Sequence, residues 1–147
     1  MKRVLMLTAR HSAFDGRVFH LEAKALKDAG YDVTIVAPRL KDEPLEMDGI
    51  RIRTFRKITG PLRKWNTIYQ LMKAAVQIPV DVLHVHEVDA PLFAAAWAKR
   101  LLARHGREVK LLFDSHEVWP YFFAERAKTG LGSELVKHLV IAYENRM

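Results

Sequence analysis

Short apolar runs alternate with amphipathic segments along the chain. Val4–Leu7 and Val33–Val36 are nearly uninterrupted apolar runs, a pattern typical of strands that are buried on both faces. Between them, Asp15 is a candidate helix cap, and Gly30 is the expected stop of a helix over Arg17–Ala29. This order of strand, helix and strand within about thirty residues predicts a right-handed βαβ unit.

The predicted first helix has one apolar face, and the segment after the second strand reads as a loop. The face is predicted from helical spacing to contain Val18, Leu21, Ala25 and Ala29. The range Arg39–Asp48 is charged and contains Pro44, which favours a loop. Ile50–Phe55 then alternates between apolar and basic residues, which predicts a strand with one exposed basic face.

Helices and strands continue to alternate in the second half of the chain. A helix is predicted over Leu62–Ile78, with apolar residues at Leu62, Trp65, Ile68, Tyr69, Met72 and Val76. Another is predicted over Leu92–His105, and its apolar centre at Phe93–Trp97 is expected to be buried. Strands are expected to end at His86 and to cover Lys110–Phe113, and a last helix is predicted over Ser133–Met147.

This alternation predicts an α/β fold: a three-layer, Rossmann-like, doubly wound and mostly parallel sheet, built as a single domain over residues 1–147. The composition agrees with a globular protein, since 50% of the 147 residues are hydrophobic and 28% are charged. Without cysteine, neither disulfides nor thiolate metal sites are available. The apolar run at the N-terminus is too short for a signal peptide or a membrane span, so we expect a cytoplasmic protein.

Basic residues are concentrated in the first part of the chain. The net charge is +7, and the whole excess lies in residues 1–80. The range Gly49–Val80 has no acid but contains Arg51, Arg53, Arg56, Lys57, Arg63, Lys64 and Lys73. Such a patch suits a phosphate-rich partner, and a solvated face is the equally weighted alternative. Because no nucleic-acid-binding motif is present, we do not expect nucleic acid as the partner.

The strand before Glu87 ends in a His-x-His pair. His84 and His86 lie two residues apart and are therefore expected on the same side of the strand. A metal site is not predicted, because the further ligands of a zinc motif are missing from the sequence around them. His84 is interpreted as a core histidine, whereas His86 and Glu87 are predicted to face a cleft at the strand tip.

The next strand ends at Asp114-Ser-His-Glu117, and His116 is the strongest candidate for chemistry. Imidazole titrates near neutral pH and can donate a hydrogen bond to a developing oxyanion or hold a hydroxyl. Glu117 is predicted to orient His116 or to accept hydrogen bonds from a polyol. The alternative is an ordinary loop histidine. Ser115 lacks the Gly-x-Ser-x-Gly context of a serine hydrolase.

The loop after the first strand is a candidate anion site. It lacks both the Gly-x-Gly-x-x-Gly and the Walker fingerprints. Still, it opens a helix N-terminus, where backbone amides favour an anion, and Asp15, Gly16 and Arg17 are expected to serve that turn. The open alternative is that Asp15 only caps the helix while Arg17 is solvated.

Four segments together resemble a known family. Asp15–Leu26, Gly30–Thr34, Asp81–His86 and Phe113–Glu117 are similar, in this order and spacing, to the amino-terminal domain of family 4 glycosyltransferases. These are retaining enzymes of the GT-B fold, with two Rossmann-like domains around a cleft. The resemblance extends over almost the whole chain, although members often have two adjacent glycines where this sequence has only Gly16.

The resemblance implies a role for each of these regions. The domain would bind a sugar or lipid-linked acceptor, and a nucleotide sugar would be the co-substrate, with no metal or other cofactor required. His116 matches a histidine that points into the cleft near the transferred sugar, and the loop around Gly16 matches one that approaches the donor phosphate. In members with lipid acceptors, a basic amphipathic helix rests on the membrane. Leu62–Ile78 is its counterpart, with Arg63, Lys64, Trp65 and Lys73 as the surface candidates.

The family's donor-binding domain has no counterpart in these 147 residues. We therefore expect the chain to be inactive by itself and to act with a donor-binding domain or partner chain, in the cytoplasm or at the inner face of a membrane. The rival hypothesis is a non-catalytic module, the free-standing half of a split enzyme that docks on a partner.

Overall fold

The computed structural model describes residues 1–39 and 42–114. The strands are β1 (Arg3–Leu7), β2 (Asp32–Pro38), β3 (Glu46–Met47), β4 (Ile50–Phe55), β5 (Val82–Val85) and β6 (Lys110–Phe113). The helices are a π-helix (Gly16–Ala23), α1 (Lys24–Asp28), α2 (Arg63–Gln77) and α3 (Ala90–Arg104). All of these elements belong to one compact unit, Met1–Asp114.

The six strands form one sheet in the order β3-β4-β2-β1-β5-β6. Every neighbouring pair is parallel except β3 with β4, which confirms the predicted mostly parallel, doubly wound sheet. From β1 the chain moves outward through β2 to β4, and it then returns to the other side of β1 to form β5 and β6. The strand order therefore reverses between β1 and β5, and such a reversal opens a crevice at the carboxyl ends of the two strands.

Helices cover both faces of the sheet, as the predicted three-layer architecture requires. Alternate residues of β1 point to opposite faces: Leu5 packs in the cluster that contains α2 and α3, while Met6 packs with Phe19 of the π-helix. Because both faces are covered, the central strands are apolar at almost every position, which explains their uninterrupted runs in the sequence.

The first helix begins with π rather than α geometry, and for this reason the predicted buried face is correct at Val18 but wrong at its other positions. Asp15 does cap the helix, and Gly30 follows it with a φ of 84°. However, Leu21 is 67% exposed and Ala25 is also exposed. The π-helix hydrogen bond joins residues five apart, and the buried residues Val18, Phe19 and Ala23 include a pair at this spacing, Val18 and Ala23.

The exposed aromatic residues of α2 and α3 also differ from the prediction. The centre of α3 was expected to be buried, but Phe93 and Trp97 are each 52% exposed. Small residues make the inward contacts instead: Ala94, Ala95 and Ala98 are fully buried. On α2 the buried residues are Thr67, Ile68, Leu71 and Ala75, whereas Leu62, Trp65 and Tyr69 are exposed.

Other predictions for this unit agree with the structure, apart from one missed strand. Ile50–Phe55 alternates as expected, and Lys110–Phe113 is a strand. The missed strand is β3, whose two residues lie in the range predicted as a loop and are too few to show a period. No helix within residues 1–39 and 42–114 is long and apolar enough to cross a bilayer. The predicted helix over residues 133–147 lies outside the described residues.

Asp81 joins the beginnings of β1 and β5, and we expect its removal to weaken the fold in a pH-dependent way. Its carboxylate accepts hydrogen bonds from Arg3 Nε, Arg3 Nη2 and the Arg3 amide at 3.0, 2.7 and 2.8 Å. The Arg3 side chain, and then its amide, hold the pKa of Asp81 well below its usual range. A carboxyl group with a depressed pKa stabilises the fold above its unfolded pKa, and that contribution is lost as the pH falls.

Asp81→Asn should therefore lower the free energy of unfolding by about 1 kcal/mol at pH 7, the scale of an exposed bidentate pair. Urea unfolding at a series of pH values measures this. Below about pH 4 the loss of stability on acidification should be shallower in the variant than in the wild type. Asp28→Asn, at the exposed end of α1, is the control. Parallel pH curves for wild type and Asp81→Asn would contradict the assignment.

Candidate functional site

A buried carboxylate holds the loop after β1 at the point where the strand order reverses. Glu87 follows β5 and is 5% exposed. Its Oε1 accepts hydrogen bonds from Thr8 Oγ1 at 2.7 Å and from the Arg10 amide at 3.1 Å, and its Oε2 accepts one from the Ala9 amide at 2.9 Å. A buried charge is stable when it is hydrogen-bonded in this way. Glu87 therefore fixes the backbone course of this loop.

Further contacts extend this anchor to the start of α3. Arg10 Nη2 donates to Asp89 Oδ2 at 2.6 Å, and Asp89 Oδ1 accepts from the Ala90 amide at 2.7 Å, which caps α3. The loop after β1 and the N-terminus of α3 are thus tied together at the carboxyl edge of the sheet.

Asp15 occupies the first amides of the π-helix. Its Oδ1 accepts from the Arg17 amide at 3.0 Å and from the Val18 amide at 3.2 Å. Partial burial alone would raise the pKa of Asp15, but these amides and His11 outweigh it and hold the pKa below its ordinary value. The capping role considered for Asp15 is therefore observed. Among the described residues, a Cβ on Gly16 would meet no atom within 4 Å, so the backbone at Gly16 is open to approach.

Arg17 connects the π-helix to the end of β6. Arg17 Nε donates to Glu22 Oε1 at 2.9 Å, and Arg17 Nη2 lies 3.5 Å from Asp114 Oδ2. The hydrogen bond to Glu22 raises the pKa of Arg17 further above its usual value. Residues five apart share one side of a helix only when the winding is π, so this pair depends on the unusual start of the helix. Arg17 is paired rather than simply solvated.

His84 of β5 and His86, which directly follows β5, lie next to Glu22 of this ion pair. His84 and His86 are both buried, with ring centroids 4.4 Å apart. His86 Nδ1 is 3.3 Å from Glu22 Oε2, and His84 Nε2 is 3.8 Å from the same oxygen. His84 is therefore a core histidine, as predicted. His86, which is 4% exposed, contacts the π-helix through Glu22.

These histidines belong to a set of side chains with metal-ligand chemistry. One ligand atom from each of Glu22, His84, His86 and Asp114 lies within 4.8 Å of the others. Two imidazoles with two carboxylates could hold a zinc ion. However, Arg17 contacts both carboxylates and already balances part of their charge. The prediction that no metal is required stays a prediction.

A polar cavity opens beside the anchored loop. It has a volume of about 600 Å³ and lies between the loop after β1, the segment before α2 and the start of α3. Its polar lining residues are Arg10, Lys57, Thr59, Arg63, Lys64, Thr67 and Asp89. We call it the basic pocket. Since the ends of parallel strands meet here, a ligand in the basic pocket would lie near Glu87.

The structure thus brings most of the predicted site residues to one edge of the sheet. Asp15, Gly16 and Arg17 open the π-helix, and His86 and Glu87 follow the end of β5 at the same edge. The buried positions of His86 and Glu87 show them supporting the loop and the helix around the crevice. The predicted catalytic His116 and its neighbour Glu117 lie outside the described residues, which end at Asp114.

Thr8, Arg10 and Glu22 take part in the site but were not predicted from the sequence. Nothing in their local pattern marks them, because their partners lie far away in the chain or, for Glu22, at an unusual helical spacing. The one available signal was that Glu87 is an acid directly after a buried strand, which implies a hydrogen-bonding partner nearby.

The fold and the site define a Rossmann-like α/β domain with a ligand crevice at the carboxyl edge of its sheet. Comparison with known proteins gives the family. Residues 16–147 match the profile of Glycosyltransferase Family 4, and the chain belongs to this family.

One relative adds little about activity. "Uncharacterized protein YneT" of Bacillus subtilis (strain 168) is 31% identical over 84 residues, which cover 57% of this chain and 55% of YneT. The match thus spans about half the length of that relative, whose name states no activity.

We expect Glu87→Gln to destabilise the domain strongly. The NH₂ group of the glutamine would replace one of the two carboxylate oxygens. It would then face either the Ala9 amide or the Arg10 amide and Thr8 hydroxyl, and in both orientations a buried backbone donor is left without an acceptor. The expected loss is about 2–3 kcal/mol of unfolding free energy, measured by urea denaturation at neutral pH.

Glu108→Gln, a change at an exposed glutamate, is the matched control and should alter stability by less than about 0.5 kcal/mol. Equal stability of the two variants would show that Glu87 does not anchor the loop.

Proposed function

We propose that this chain is the acceptor-side domain of a retaining, nucleotide-sugar-dependent glycosyltransferase. Family membership supports the transferase class. The observation that carries the proposal further is the anchoring of the loop after β1 by Glu87, where the strand order reverses. A rigid loop at this position forms one wall of a cleft, as substrate positioning in group transfer requires.

The residues around the crevice divide into two groups with different roles. Arg17 lies beside the open backbone of Gly16, and its guanidinium, which is paired with Glu22 and more loosely with Asp114, is the proposed contact for a diphosphate of the donor. Asp15 already accepts hydrogen bonds from the Arg17 and Val18 amides. The diphosphate is therefore proposed to contact the side chain of Arg17 rather than those amides. The basic pocket lies on the other side of the anchored loop and is the proposed acceptor region.

His116 is the proposed catalytic residue, with Glu117 beside it as a substrate-binding residue. His116 comes two residues after Asp114, whose amide donates to the Val85 carbonyl at the carboxyl edge of β5. The imidazole of His116 is proposed to donate a hydrogen bond to the sugar or the departing phosphate oxygen as negative charge develops. The nucleotide-sugar donor itself is proposed to be bound mainly by a second, donor-binding domain or by a partner chain, so this domain alone would not transfer sugar.

We expect His116→Ala to lower turnover by at least about 100-fold in a protein that joins this chain to its donor-binding domain. The donor affinity should change less than about two-fold, because the histidine acts mainly in the transition state. Steady-state transfer assays and equilibrium binding of the nucleotide sugar measure the two quantities.

His105→Ala is a matched control, since His105 is an exposed histidine at the end of α3. Unchanged turnover in His116→Ala would refute the catalytic role. Transfer activity of the 147-residue chain by itself would refute the need for a donor-binding domain. Copurification with an inactive partner would favour the non-catalytic module.

The proposed location is the cytoplasm, with peripheral binding to the inner face of an anionic membrane. The four candidates for membrane contact are all exposed on α2, which supports this proposal: Arg63, Lys64, Trp65 and Lys73. The helix contains no acid that would repel anionic lipids.

The chain should sediment with vesicles of mixed neutral and anionic phospholipid but not with neutral vesicles, and salt should weaken the binding. Replacing Arg63 and Lys64 by Gln should reduce the binding about 30-fold, whereas Lys2→Gln with Lys110→Gln, exposed at the opposite edge of the sheet, should not. Indifference to lipid charge would exclude the membrane hypothesis.

A further inference from the structure

Two cavities of different chemistry lie side by side along α2 and α3. One is the basic pocket at the carboxyl edge of the sheet. The other is a groove of about 520 Å³, which we call the aromatic groove, and its apolar lining includes Trp65, Ile68, Phe93, Trp97 and Leu101. Lys64 lines both, so the two cavities are neighbours on either side of this residue.

The aromatic groove exposes more apolar surface than ordinary helix packing requires. Trp65 is 67% exposed, and Phe93 and Trp97 lie opposite it on α3. Scattered exposed apolar residues are common, but several large aromatic side chains around one groove mark a binding surface. Its volume is in the range of pockets for small molecules. Arg100 and Arg104 also line it, so the groove presents positive charge as well as apolar surface, and a purely apolar ligand would not match this charge.

The basic pocket carries an excess of positive charge that no acid balances locally. Asp89 is its acidic residue and is already paired with Arg10. In residues 1–39 and 42–114 no acid forms an ion pair with Lys57, Arg63 or Lys64. Helices α2 and α3 contain neither aspartate nor glutamate. Charge complementarity therefore calls for an anionic group in this pocket.

We propose that the two cavities together bind one amphiphilic anion, with a phosphate in the basic pocket and an alkyl chain in the aromatic groove. This inference rests on the proposed function and names its acceptor class: a lipid phosphate, or a sugar linked to one. Arg10 belongs both to the basic pocket and to the loop that Glu87 anchors. A phosphate bound there would lie at the rim of the proposed cleft, and the alkyl chain would extend away along α3.

The test is calorimetric titration of the 147-residue chain with three probes: decyl phosphate below its micelle concentration, decyl maltoside and inorganic phosphate. We expect one decyl phosphate per chain, bound at least about 100-fold more tightly than either other probe. Burying a few methylene groups suffices for this ratio over inorganic phosphate, and pairing the phosphate with the cations of the basic pocket accounts for it over decyl maltoside. The comparison separates a lipid phosphate from free phosphate and from any detergent-like chain.

Two variants separate the contributions of the two cavities. Trp97→Ala should remove most of the advantage of decyl phosphate over inorganic phosphate. Lys64→Gln should remove most of its advantage over decyl maltoside. The matched controls are Leu21→Ala and Lys2→Gln, which change an exposed leucine and an exposed lysine away from both cavities and should leave all affinities within two-fold. Circular dichroism establishes that each variant is folded.

Several outcomes would overturn the proposal. Equal affinity for decyl phosphate and decyl maltoside would show an apolar site without phosphate recognition. Equal affinity for decyl and inorganic phosphate would show that the groove is not used. A dimer in sedimentation velocity that Trp97→Ala dissociates would show that a second copy of the chain covers the groove. These measurements need neither donor nor transfer, so their failure would leave the transferase assignment, tested with His116→Ala, untouched.

Discussion

The burial of the Glu87 carboxylate is the constraint on which the rest of the site depends. A charged group in this position is stable only because the loop after β1 turns its Thr8 hydroxyl and two backbone amides toward it. With the loop fixed, Arg10 reaches the cap of α3 and Asp15 begins the π-helix. Glu87, just after β5, thus fixes the loop after β1 directly, and through Arg10 and Asp89 this loop is tied to the start of α3.

The sheet could be predicted from the sequence, because strands buried on both faces give uninterrupted apolar runs and parallel order follows from the alternation with helices. That Asp15, Arg17 and Glu87 lie at one edge of the sheet could also be predicted, because the carboxyl ends of parallel strands lie at the same edge. Their partners could not be predicted, since hydrogen bonds such as that between Thr8 and Glu87 join positions 79 apart. Only Val18 of the predicted buried face of the first helix is buried, because that prediction rests on an α-helical period and the helix begins with π geometry.

The two helices on the other face show why hydrophobicity alone does not predict burial. On α3, alanines pack toward the sheet and α2, which allows close approach, while Phe93 and Trp97 remain at the surface. A hydrophobicity pattern treats alanine, phenylalanine and tryptophan alike as apolar residues. However, small side chains are suited to close packing and large aromatic ones to contact with a ligand. The exposed aromatic surface, together with helices that contain no acid, gives this face a chemistry distinct from that of the π-helix side, where Arg17 and Lys24 are paired with acids.

The winding of the first helix is itself part of the site. If Gly16–Ala23 wound as an ordinary α-helix with the same number of residues, Arg17 and Glu22, which are five positions apart, would turn to different sides of it. The hydrophobic composition would not change, but Asp114 and His86 would lose the residues that now link them across the crevice. Deleting one residue between Arg17 and Glu22 would instead leave them four positions apart, a spacing that an α-helix keeps on one side. The ion pair therefore constrains spacing and winding together: five positions require π geometry, and four would require α geometry.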